Sequence, residues 1–109
     1  MPTIYKVLGQ SAPSATTDTT LYTVPAATDA IVSTIVVANR DSASATFRIA
    51  VRPAGATLAN QHYLAYDCSV GANDSTALTL GITLDATDVI TVRASTANLS
   101  FSAFGSEIS

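Results

Sequence analysis

Period-two alternation of apolar and polar residues recurs along this chain, and short clusters of Pro, Gly, Asn, Asp and Ser interrupt each run. A strand presents successive side chains to opposite faces, so this pattern demands half-buried β-strands joined by turns. Strands are expected over 4–8, 21–24, 30–39, 45–51, 62–70, 76–84, 89–94 and 99–105. The segment 30–39 is apolar on both faces, with Ile31, Ile35 and Val37 on one and Val32, Val36 and Ala38 on the other. Such a strand is expected in the centre of a sheet or covered on both sides. Elsewhere the expected inward sets are Phe47, Ile49 and Val51; Leu64, Tyr66, Cys68 and Val70; and Leu78, Leu80, Ile82 and Leu84.

Composition supports the same class. Lys and Glu, common on exposed helices, occur once each, whereas Thr, Ser, Val and Ala dominate. With 109 residues there is material for one domain. The expected fold is an all-β, single-domain antiparallel β-sandwich of jelly-roll type, with a seven-stranded immunoglobulin-like sandwich as the alternative. That alternative lacks its Cys…Trp…Cys signature, since the chain has one Cys and no Trp. Residues 1–20 are expected as an N-terminal strand followed by an extended Ser/Thr/Ala/Pro arm over 11–20, and residues 21–109 as the sandwich.

Several kinds of chemistry are disfavoured by the residue inventory. Five Lys and Arg against eight Asp and Glu make no polyanion-binding surface, so no nucleic-acid partner is expected. No run approaches the length of a membrane-spanning helix, and no basic-then-apolar leader opens the sequence; neither a membrane partner nor a signal peptide is expected. The sequons Asn73-Asp74-Ser75 and Asn98-Leu99-Ser100 therefore read as chance. His62 and Cys68 are the only imidazole and thiol, and an extended strand separates them by roughly 20 Å. A buried Cys68 and an exposed His62 at a strand start are expected instead of a catalytic dyad. Asp85 and Asp88 bracket a turn. Two carboxylates with a Thr hydroxyl and loop carbonyls would supply some of calcium's oxygens, but Asp at both ends of a four-residue turn is ordinary turn chemistry, which is favoured. No catalytic, cofactor or metal site is expected, and the chain is read as a non-enzyme.

Two groups of residues suit contact with a partner. Arg48 and Arg52 share the outward face of one strand and suit internal ion pairs or an acidic partner surface. Tyr5, Tyr22, Tyr63 and Tyr66 would make a sugar-stacking platform if brought together. Low charge and a mean hydropathy of +0.35 are unusual for a free monomer. Part of the surface is therefore expected to be buried in a homo-oligomer, a trimer being favoured. The candidate contacts are Ile4, Tyr5, Ser11, Pro13, Arg48 and Arg52. The segment 2–20 is the candidate for reaching a neighbour.

The runs Leu21-Tyr22-Thr23-Val24-Pro25-Ala26, Ile35-Val36-Val37-Ala38-Asn39-Arg40 and Thr46-Phe47-Arg48-Ile49-Ala50-Val51 resemble small virion structural proteins of tailed bacteriophages. So do Leu78-Thr79-Leu80-Gly81-Ile82-Thr83-Leu84 and Asp88-Val89-Ile90-Thr91-Val92. The resemblance covers nearly the whole chain and lies in the pattern of strands and turns. It implies a β-sandwich subunit, often trimeric, bound to the outside of a particle as a capsid decoration (cement) protein. A tail, fibre or baseplate piece is the alternative, and a glycan-binding module is a further one. The implied partners are the major capsid protein or other virion proteins, and the implied location is the virion, assembled in the host cytoplasm. Fibre shafts carry repeats, and none occurs in this sequence, which favours decoration.

Overall fold

The computed structural model describes residues 2–109. Eight strands form in chain order: β1 (Thr3–Ser11), β2 (Thr19–Thr23), β3 (Asp29–Asn39), β4 (Ala45–Arg52), β5 (Tyr63–Val70), β6 (Ser75–Leu84), β7 (Val89–Ala94) and β8 (Leu99–Ile108). Single 3-10 turns at Pro53–Gly55 and Asn60–His62 occupy the connection from β4 to β5. The strands divide into two four-stranded antiparallel sheets, ordered β1-β8-β3-β6 (sheet A) and β2-β7-β4-β5 (sheet B).

The pairs β1·β8, β2·β7, β3·β6 and β4·β5 are nested. The chain is a ribbon doubled back at the β4–β5 connection and then wrapped, so that its two halves alternate between sheets. This is the jelly-roll winding of two Greek keys, and the strand order excludes the immunoglobulin-like alternative. The wrapping brings backbone against backbone where β1 passes β2. A Cβ on Gly9 would lie 2.1 Å from the Leu21 carbonyl oxygen, so only glycine fits there.

Between the sheets lies one apolar core. Phe47, Ile49, Ile90 and Val92 enter it from sheet B; Val32, Ile35, Val37, Leu99, Phe101 and Ala103 enter from sheet A. Phe47 and Phe101 meet edge-to-face across the gap, with centroids 6.2 Å apart. Each full burial of such a side chain stabilises the fold by about 1.5–3 kcal/mol. Asn39 is buried at the end of the core. Its amide nitrogen donates to the carbonyls of Ala43, Val70 and Gly71, and its oxygen accepts from the Asp41 N–H. One side chain thereby ties together the turns after β3 and β5.

Bulges change which residues face this core. Opposite β8, Ser33 is the extra residue of β3, and this reverses the parity of the strand. Ala30 and Val32 point inward before it, and Ile35, Val37 and Asn39 after it. Ile31, expected beside Ile35, is 38% exposed. β3 is central, as expected, but the rest of this chain leaves its outer face uncovered. In β6 the bulge falls at Leu80-Gly81, where Gly81 takes a left-handed φ of 60°. Leu80 is consequently exposed, whereas Leu78 and Ile82 pack against the core and Leu84 is buried. In β5 two irregularities, at Leu64 and at the Tyr66–Asp67 position, turn Leu64 and Tyr66 outward and leave Ala65 and Val70 inward. Cys68 is exposed and His62 buried, the reverse of the expectation. His62 Nδ1 accepts the Ala59 N–H at 3.0 Å, so the ring holds its own turn closed.

The segment expected as a free arm is bound within the sandwich. β1 runs to Ser11, Pro13 is buried, and Ala15 forms a parallel bridge to Ala94. The Thr16 N–H donates to the Ala94 carbonyl at 2.7 Å. A division at residue 20 falls inside β2, and removing 2–20 deletes an edge strand of sheet A.

Candidate functional site

The two sheets carry different outer surfaces. On sheet B, Arg52 lies flat: Nε donates to Thr91 Oγ1 at 3.0 Å, and Nη1 to the carbonyls of Gly55 and Ala56. Ala50, Thr91 and Val89, outward by register, are buried on this side. Arg48 donates to both carboxylate oxygens of Asp67, Nε at 2.7 Å, and its guanidinium stands 4.0 Å over the Tyr66 ring. Tyr66 in turn packs edge-to-face on Tyr63 at 4.9 Å. The hydrogen bond from Arg48 holds the Asp67 carboxyl below its ordinary range, and the same bond raises the guanidinium above its own. Charges on this face are thus largely consumed by their own chain.

On sheet A the register aligns a band of apolar side chains across all four strands. Tyr5 on β1 is level with Ile31 on β3, through Ser106 of β8. Val7 on β1 is level with Phe104 on β8, and the Leu80 bulge of β6 is level with the Ser33 bulge of β3. Tyr5, Val7, Ile31 and Phe104 line one shallow hollow of about 630 Å³. Tyr5 is 84% exposed and Val7 47%; Ile4, 53% exposed, lies on the other face of β1, level with Glu107 and Ala30. β1 is also an edge strand, so among the described residues one side of its backbone has no strand partner. Around the band the outer face is mostly Ser, Thr and Ala, with Val36 among them: Ser100, Ser102, Thr34, Ala38, Ala77 and Thr79.

One bond network anchors that margin to sheet B. The Tyr22 hydroxyl donates to Glu107 Oε2 at 2.5 Å, and Lys6 Nζ lies 3.3 Å from Glu107 Oε1. Tyr22's hydrogen bond, aided by Lys6, keeps the Glu107 carboxyl below its usual value. Burial, with the neighbouring carboxylate, pushes the Tyr22 phenol up.

The remaining sequence candidates separate. Of the six proposed contacts, Ile4 and Tyr5 lie on the margin, Ser11 is half-buried and Pro13 buried. Arg48 and Arg52 share sheet B's outer face and bond internally. The four tyrosines do not assemble: Tyr22 is in the core, Tyr5 on sheet A, and Tyr63 and Tyr66 on β5. Asp88 accepts the N–H groups of Ala54 and Asp85, one on each oxygen, and Asp85 accepts that of Ala86. These are turn clamps. A hydrogen bond with Asp85 raises the Asp29 carboxyl above its ordinary value. Among the described residues no three His, Cys, Asp or Glu side chains converge as a metal site requires.

Sequence reasoning missed the apolar band, because it depends on register and on bulges. Its signal was Tyr5 in an edge-like first strand. The chain matches no family model, no curated protein and no solved structure.

Proposed function

We propose that this is a non-enzymatic virion structural protein, a capsid decoration (cement) subunit that binds the outer surface of an assembled phage shell. The observation that carries the reading is the apolar band of sheet A, bordered by an unpaired edge strand. Contiguous exposed apolar surface rimmed by polar residues is typical of interaction sites. A small, rigid jelly roll with one adhesive face suits a part whose work is attachment. The resemblance of the strand-and-turn pattern to small phage virion proteins supplies the particle.

The mechanism is linkage. A subunit that binds the assembled shell and not its dispersed parts stabilises the shell by RT ln(1 + [L]/Kd), about 4 kcal/mol per site at a thousandfold excess over Kd. Trimers of the subunit gain further by avidity, each copy holding the others at high local concentration. The major capsid protein is the partner in this reading, and the virion is the location.

The test is the copy number of this chain per purified particle, relative to the major capsid protein. Hundreds of copies in fixed ratio to capsid subunits support decoration. A few to a few tens transfer the protein to the tail, fibre or baseplate. Absence from particles overturns both virion readings and brings forward the glycan-binding one, for which the Tyr63–Tyr66 pair is the place to look.

A further inference from the structure

The register of β4 against β7 sets Arg48 directly opposite Arg93 on the outer face of sheet B. Like charges in that position repel unless each is compensated. Arg48 is compensated fully, by the two-pronged bond to Asp67 and the Tyr66 ring. Arg93 is compensated more loosely: its Nη1 forms a long ion pair with Asp18 Oδ1 at 3.7 Å, its charge also acts on the Asp67 carboxylate, and among the described residues its guanidinium makes no hydrogen bond. Its side chain is 32% exposed, and its N–H donors reach solvent and no acceptor of the described residues.

In front of it lies a half-enclosed hollow of about 140 Å³, floored by Phe47 and Ala94. Arg48, Asp67, Thr16, Thr46 and Ser95 complete the wall. Ser95 Oγ accepts the Thr46 N–H at 2.9 Å, which leaves its own hydrogen free to donate into the space. Two wall residues, Thr16 and Asp67, hold left-handed backbones at φ 53° without being glycine, a strain that folded proteins keep where geometry matters. A half-open hollow of this size admits an acetate-sized group. Asp18 is its nearest internal substitute, but it is 42% exposed and too distant to bond.

We propose that this hollow is a binding site for a carboxylate, which pairs with Arg93, accepts from the Ser95 hydroxyl and displaces Asp18. A planar carboxylate matches the guanidinium fork two bonds at a time. The group is either a small free acid or the acidic side chain of a partner protein. The site does not depend on the shell reading, since sheet A takes no part in it.

The experiment titrates the full chain with sodium acetate, with N-acetyl-aspartate amide and with phosphate, at constant ionic strength balanced by chloride. NMR follows the Arg93 Nε–Hε and Ser95 amide signals. Saturable shifts with acetate or the blocked aspartate, weakened at least about tenfold in Arg93→Gln, support the site. Tighter binding of the blocked aspartate identifies a partner side chain; tighter binding of acetate identifies a free acid. Arg93→Gln is first shown to keep the wild-type amide spectrum elsewhere, and Asp18→Asn, which removes the competitor without touching the wall, is expected to bind more tightly. No saturable shift, equal affinity in Arg93→Gln, or preference for phosphate overturns the proposal.

Discussion

Sheets A and B contribute alike to the core and differ on the outside. Sheet B is covered by its own side chains: Arg52 lies across Thr91, Arg48 is clamped between Asp67 and Tyr66, and Ala50 and Val89 are buried where a sheet usually meets solvent. Sheet A has less cover: Arg40 reaches Ser100 and Gln10 reaches Ser102 at one end, and the band itself is left open. Its outer face is mostly Ser, Thr and Ala crossed by an apolar band, and its edge strand β1 has one buried residue, Leu8. A jelly roll therefore separates two tasks. The inner faces and the covered sheet hold the fold, and in the proposed function the bare sheet is the one that associates.

The largest effects are expected where the sheets are alike. Phe47→Ala and Phe101→Ala should each cost about 3–5 kcal/mol in urea unfolding, because each leaves a cavity on the same mid-plane. The double variant should lose less than the sum, since the two rings touch. A large difference between the two single variants would break the symmetry of the inner faces. Next comes the cover of sheet B: Arg52→Ala should cost about 1–3 kcal/mol, having left Thr91 and two carbonyls without their donor. It should leave particle binding unchanged, and weakened binding by a folded variant would show that sheet B also meets the partner.

Acid tests the bond between the sheets. The Glu107 carboxyl is held below its ordinary 4.5, so its contribution is complete above that value and is lost as pH falls through the lower folded one. Wild type should therefore lose stability below about pH 4.5 more steeply than Glu107→Gln, measured as thermal midpoint against pH. Parallel curves would remove the Tyr22–Glu107–Lys6 network from the account. The smallest effect is expected on the bare face: Tyr5→Ser should change stability by no more than about 0.5 kcal/mol. A loss of several times that would mean Tyr5 is structural.

The sequence carried the strands well and the faces poorly. Alternation and the turn clusters at 40–44, 71–74, 85–88 and 95–98 locate the elements, because strand period and turn chemistry are local properties. Ile31, Leu64, Tyr66 and Leu80 were misassigned because a bulge adds one residue and inverts every later side chain. Gly81 was the one readable sign of a bulge; Ser33 and Asp67 look like ordinary strand residues. The nested pairing, and with it the apposition of Arg48 and Arg93, is set by long-range wrapping that alternation does not encode. The exposure of Ile4 and Tyr5 was legible because apolar residues in an edge strand have little to cover them. The burial of Pro13 was not, since it depends on the segment after β1 folding back onto β7.

The most direct test of the division between a covered and a bare sheet is rebinding of the variant Tyr5→Ser, Val7→Ser to particles stripped of this protein, followed by co-sedimentation. The account predicts a variant that melts close to wild type and no longer sediments with the particle. A folded variant that rebinds with wild-type affinity would contradict it, and the adhesive surface would have to lie elsewhere.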